Sequence, residues 1–179
     1  SYFSNTNGYY ALNNHVTARV AATRPGNSPR RILELGAGLG SATEALLREL
    51  AARSTLARVT AYHATEPVPF FRRRAERTLL ADWPGVPLVS GTLDVSQSWR
   101  DQPGCPAQVD LVWAVNVFHL AYDLDAALRE ACAVLAPGGW LVLGEGIRPR
   151  VGQPVAAEFP FQLLSSFTAV RLDPHTRPE

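Results

Sequence analysis

A parallel β-sheet wrapped by helices, an α/β fold in one domain, is what this 179-residue sequence predicts. Three observations carry that expectation. Five short apolar runs of strand length recur between residues 30 and 145. Helical patterns stand between most of them, and strand–helix alternation of this kind builds parallel sheets. A glycine-rich turn, Gly36-Ala37-Gly38-Leu39-Gly40, follows the first run, where a strand hands over to a helix.

The composition agrees with a folded chain. Apolar residues make up 46% and charged residues 18%, enough to bury a core at this length. The formal net charge of +1 gives no broad pull toward nucleic acid or membrane. All 17 basic residues are arginine, which reads as compositional bias. Two cysteines, Cys105 and Cys132, make neither a disulfide framework nor a metal-ligand spacing, so no metal is expected. Cys132 sits in an apolar helical pattern and is expected in the core. No apolar run is long enough to span a bilayer, and no signal peptide is visible, so a cytoplasmic place is the default.

Residues 1–29 hold a polar, aromatic-rich start and a helical pattern through Ala11, Leu12, His15, Val16, Arg19 and Val20, then a loop around Pro25-Gly26. This helix either lies over a ligand, with Tyr9, Tyr10 and Asn14 facing it, or packs on the sheet. Ile32, Leu33 and Leu35 form the first strand. Glycine at alternate positions after it lets a ligand approach bare backbone, and the following helix, from about Ser41 to Arg53, presents amides and a positive dipole end. Leu46, Leu47 and Leu50 form its inner stripe.

Strand two is 59–65, stopped at Glu66-Pro67. Glu66 thereby falls at a strand's carboxyl end, where ligands of open α/β sheets bind, and a carboxylate there can accept from two sugar hydroxyls. A helix over 68–81 carries Arg72, Arg73, Arg74 and Arg77 on one side. Such a run is ordinarily a solvated face, and it also offers a surface to an acidic partner. Strand three begins at Val86 and leads to Leu93-Asp94-Val95; Asp94 alternatively caps a helix. Residues 96–107 form a polar connector in which Trp99 packs. Strand four is 109–115, followed by Asn116-Val117-Phe118-His119. A helix starting at Asp123 or Asp125 ends at Pro137-Gly138-Gly139, and strand five is Trp140 to Glu145. Residues 158–167 predict one short helix, and the chain ends in a loop. His63, inside strand two, reads as a hydrogen-bonded core residue.

The run Leu33-Glu34-Leu35-Gly36-Ala37-Gly38-Leu39-Gly40 resembles the first motif of class I S-adenosylmethionine-dependent methyltransferases. A dinucleotide fingerprint needs a glycine where Ser41 stands, which argues against a nicotinamide-dependent dehydrogenase. Asp94-Val95, Val109-Asp110-Leu111-Val112, Asn116-Val117-Phe118-His119 and Leu135 through Glu145 extend the likeness, which is greatest to the C-methyltransferase domains of polyketide synthases and covers residues 30–147. The resemblance implies a Rossmann-like sheet of about seven strands, of which the C-terminal antiparallel hairpin is missing here, so the chain reads as part of a larger protein: a lid or helix over 1–29, a cofactor-binding core over 30–147 and an extension over 148–179. It implies S-adenosyl-L-methionine as cofactor. Glu34, Gly36, Ala37, Gly38 and Gly40 would hold its methionine part, Glu66 and Pro67 its ribose, and Leu93, Asp94 and Val95 its adenine, with Asn116 also lining the site. His119 and Glu145 would form a catalytic dyad that C-methylates a β-ketoacyl thioester on an acyl carrier protein in secondary metabolism, beside neighbouring domains of a synthase. A small-molecule O- or N-methyltransferase and an inactive domain that keeps the fold for assembly are the alternatives.

Overall fold

In the computed structural model the described residues are 5–6, 8–23 and 30–146. The expected helix at 158–167 and the terminal loop lie outside them. The strands β1 (Arg30–Leu35), β2 (Val59–Thr65), β3 (Leu88–Gly91), β4 (Val109–Val115) and β5 (Leu135–Gly144) form one sheet in the order β3-β2-β1-β4-β5, all neighbours parallel. The chain order reverses between β1 and β4, so the carboxyl ends of these two strands open a crevice, the usual ligand position of such sheets. The helices are α1 (Gly8–Ala22), α2 (Ser41–Ala52), α3 (Pro69–Asp82) and α4 (Leu124–Val134).

The middle strands are apolar on both faces because helices cover both. Ile32, Tyr62, Leu111 and Trp113 pack with Leu46, Leu47 and Leu50 of α2 in one cluster. Leu33, Leu35, Val112 and Ala114 pack with Ala127 and Ala131 of α4 and with Trp99 in the other. Trp99 is fully buried, so the polar connector between β3 and β4 is pinned by one large side chain.

Four expectations are corrected. The apolar positions of α1 do not face the domain: Leu12, Val16 and Val20 are exposed, and Asn14, Thr17, Ala18, Ala21 and Ala22 are buried. The helix lies so close to its neighbours that only small side chains fit; a Cβ on Gly144 of β5 would overlap Thr17. β5 begins at Leu135, not Trp140. Its register jumps from Val109↔Leu135 to Leu111↔Trp140, and Pro137-Gly138-Gly139 bulge out between, with Gly138 at φ 74°. These residues therefore kink a strand, and α4 has already stopped at Val134. Cys132 is exposed, on the outer side of α4, and Ala131 beside it takes the core position. β3 starts at Leu88: Pro87 has no N–H to donate, and its carbonyl accepts from the Tyr62 amide at 2.9 Å at the edge of the ladder.

Candidate active site

The carboxyl ends of β1 and β2 carry the glycine turn. Gly36, Gly38 and Gly40 all have positive φ, 61°, 56° and 85°. They are glycine for different reasons. A Cβ on Gly36 would lie 2.5 Å from Val117, so this position is set by packing against the end of β4. At Gly38 the nearest atom to such a Cβ is the Gly36 carbonyl oxygen at 3.9 Å, so its backbone faces open space. The Ala37 amide donates to the Thr65 carbonyl at 2.9 Å, which ties the turn to β2.

Glu66 sits directly beside this turn and is almost fully buried. Its Oε2 accepts from the Gly38 amide at 3.0 Å and its Oε1 from the Val68 amide at 2.8 Å. Burial pushes its pKa up, and the two amides and Arg72 act against that. Pro67 follows it and is exposed.

Glu34 lies elsewhere than expected. It is 2% exposed and sits beneath the turn, where Oε2 accepts from Thr43 Oγ1 and from the Tyr62 hydroxyl, both at 2.7 Å. Trp113 Nε1 in turn donates to the Tyr62 hydroxyl at 3.1 Å. Burial raises the Glu34 pKa to about 7, against the two hydroxyl donors. The side chain therefore braces β1, α2 and β2 from below and does not reach the mouth of the turn. Leu93 is corrected in the same way. It is 1% exposed within the core, so its side chain supports the end of β3 and presents no face to a ligand. Val95 is half-buried against the same cluster. Asp94 caps no helix: its Oδ1 accepts from the Ser96 amide at 2.9 Å in a local turn, and the Gln102 side chain holds its backbone on both sides. His63 is half-buried on β2, where burial lowers its pKa.

On the other half of the same edge, β4 and β5 place His119 and Glu145 together. His119 Nδ1 is 2.7 Å from Glu145 Oε2. The other carboxylate oxygen, Oε1, accepts from the amides of Val117 at 2.9 Å and Phe118 at 2.8 Å. With an acceptor-only carboxylate, Nδ1–H donates, and Nε2 becomes the basic nitrogen. The imidazole and the carboxylate remain 37% and 21% exposed, enough to meet a substrate. Asn116, at the turn into this segment, has φ 57°. Its side chain points to α1, where Asn13 Nδ2 donates to Asn116 Oδ1 at 2.9 Å.

Two residues escaped the sequence reading. Asn13 stands among several asparagines with no pattern to single it out, and Val117 looked like one more strand-end aliphatic. Asn14, expected to face a ligand, is buried and donates to Asn5, which donates to the Ser41 carbonyl at the start of α2.

A five-stranded sheet of this order, with a glycine turn and a strand-end carboxylate beside it, is the frame of a Rossmann-like class I methyltransferase. The chain belongs to the methyltransferase domain family, whose model matches residues 33–141. It is 31% identical over 166 residues, 90% of its length, to a highly reducing polyketide synthase of Aspergillus terreus. Two solved structures share its fold. The carbon methyltransferase DszA has 26% identity and a TM-score of 0.63 over 80% of this chain and 37% of its own. The trans-methyltransferase CalH, solved with S-adenosylhomocysteine, has 28% identity and a TM-score of 0.60 over 75% of this chain and 38% of its own. The chain spans 3% and 6% of the length of two curated relatives it matches. Among the described residues no helix is long and apolar enough to cross a membrane.

Proposed function

We propose that this domain transfers a methyl group from S-adenosylmethionine to the carbon between the two carbonyls of a β-ketoacyl thioester, carried on an acyl carrier protein of a polyketide-type synthase. The observation that carries the reading is the 2.7 Å contact between His119 and Glu145 at the carboxyl ends of adjacent strands.

The turn suits the cofactor. The open backbone at Gly38 leaves room for its methionine part, and Glu66 beside it is an acceptor suited to sugar hydroxyls. Each Glu66 oxygen already takes one amide, which fixes the carboxylate, and a carboxylate oxygen can take a second donor. The cofactor supplies an electrophilic methyl on a sulfonium. His119 Nε2 takes the acidic C–H proton, and the electron pair left behind forms an enolate whose carbon is the methyl's acceptor. Glu145 holds the imidazole in the needed tautomer and stabilises the imidazolium, and its own charge is held by two amides. Three strand spacings of about 4.8 Å separate the strands that carry Glu66 and Glu145, leaving room for cofactor and acceptor side by side.

The test is to incubate the chain with S-adenosylmethionine and a β-ketoacyl N-acetylcysteamine thioester and to locate the added methyl by mass spectrometry and NMR. Methyl on carbon, lost in His119→Gln, supports the proposal. Methyl on oxygen or nitrogen, or carbon methylation that survives His119→Gln, overturns it.

A further inference from the structure

We propose that Asn13 of α1 is a positioning residue for the His119–Glu145 pair, acting through the backbone at Asn116. The proposal rests on the reading of that pair as the proton-transferring group. The connection is continuous on the structure. Asn13 Nδ2 donates to Asn116 Oδ1 at 2.9 Å and to the Gly144 carbonyl at 3.3 Å. The Asn116 amide donates to the same Gly144 carbonyl at 2.7 Å. The ends of β4 and β5 are thus clasped from α1 at the residues that immediately precede Val117 and Glu145.

Asn116 holds a left-handed backbone, φ 57°, which an L side chain other than asparagine or aspartate rarely takes. That bend turns two successive amides, those of Val117 and Phe118, onto Glu145 Oε1. Glu145 Oε2 then meets His119 Nδ1. Without the clasp, Asn116 is released toward ordinary backbone, the two amides swing away, and the carboxylate loses the geometry that selects the Nδ1–H tautomer.

Two further features fit. α1 packs on Gly144 so closely that no side chain is tolerated there, so the donor on α1 reaches the strand ends directly. The same helix is tied through Asn14 and Asn5 to Ser41, where the glycine turn enters α2. One helix therefore touches both halves of the site, and its asparagines, not its exposed Leu12, Val16 and Val20, face inward.

The experiment compares the chain with Asn13→Leu, which keeps size but no hydrogen bond, and with Asn13→Gln, which keeps both groups. The first readout is the 15N spectrum of the histidine rings at alkaline pH, with the His119 signals identified by their loss in His119→Gln. In the unaltered chain His119 carries the Nδ1–H pattern. In Asn13→Leu it moves to the Nε2–H form that ordinary exposed histidine prefers, and Asn13→Gln restores at least part of the Nδ1–H signal. The second readout is methyl transfer to the β-ketoacyl thioester: kcat falls by up to about 100-fold in Asn13→Leu, while affinity for S-adenosylhomocysteine changes less than about twofold. An unchanged tautomer in Asn13→Leu overturns the proposal. Should the leucine disturb α1, as melting would report, Asn13→Ser, too short to reach Asn116, carries the same expectations. Loss of transfer from every variant and from the unaltered chain counts against the C-methylation reading alone, since the tautomer still reports on Asn13.

Discussion

The two halves of the strand edge hold their carboxylates in opposite ways. On the β1–β2 side, Glu34 and Glu66 are buried, and burial raises both pKa values. On the β4–β5 side, Glu145 is partly open, gripped by two amides and set against an imidazole that is itself exposed. The first half is a rigid cradle whose acids brace a bare backbone turn. The second leaves the His119 imidazole and the Glu145 carboxylate partly open to solvent. On the proposed reading one sheet edge separates holding from proton transfer, and the two halves are joined by the β1–β4 pairing, by Gly36 against Val117 and by α1.

The sharpest way to break this contrast is to remove the base. His119→Gln is expected to lower methyl transfer by roughly 10²- to 10⁴-fold, the usual worth of a positioned general base. Binding of S-adenosylhomocysteine, measured by calorimetry, stays within about twofold. A large loss of cofactor binding would move His119 into the cradle and erase the division between the halves.

Next in size is the buried Glu34. Its folded pKa of about 7 lies above the ordinary carboxylate value of 4.5, so protonation favours the fold. The stabilisation is complete below about pH 4.5 and is lost as pH rises through about 7, a difference on the order of 3 kcal/mol. Urea unfolding across this range is expected to show a stability gap between the unaltered chain and Glu34→Gln that shifts by that amount in the glutamine variant's favour as pH rises. A flat gap means that Glu34 reaches water, against the bracing role given to it here.

Glu66→Ala tests the cradle from its rim. The Gly38 and Val68 amides lose their acceptor, and on the proposed reading the cofactor's sugar loses its partner. Affinity for S-adenosylhomocysteine is expected to fall roughly 10- to 100-fold, the worth of one or two hydrogen bonds to a charged group. The His119 ring signals in the 15N spectrum should not move. If they do, the links the halves share, α1 and the contact of Gly36 with Val117, couple them, and the division between the halves fails.

The strand–helix alternation and the glycine turn were legible in the sequence because each rests on a local pattern, and the pairing of His119 with Glu145 was legible through the family resemblance. Alternation gave the sheet, positive φ required glycine, and two strand ends in adjacent registers carry the pair. What was not legible depended on tertiary packing. Glu34 and Glu66 look alike as strand-end acids, yet one ends beneath the turn and the other beside it, because Tyr62 and Thr43 close over the first. Leu93 looked suited to a ring and went into the core. α1 shows an apolar stripe by spacing and packs with its small and amide residues instead, since the distance to Gly144 admits nothing larger. Pro137-Gly138-Gly139 gave the signal of a helix end and was used inside a strand.

The helices that lead away from the two halves differ too, and this gives the smallest effect. α4 begins with Asp123, whose Oδ1 accepts from the Ala126 amide at 3.0 Å. α2 is entered from Gly40, which has no side chain with which to cap the helix. The cap on α4 follows the His119 segment by a few residues and is a stability device. Asp123→Ala is expected to cost about 1 kcal/mol in thermal or urea unfolding, with kcat and cofactor affinity within about twofold. A variant that keeps its stability but loses transfer would mean that Asp123 governs the His119 segment, which ends only a few residues before it, and that the working half of the edge extends into α4.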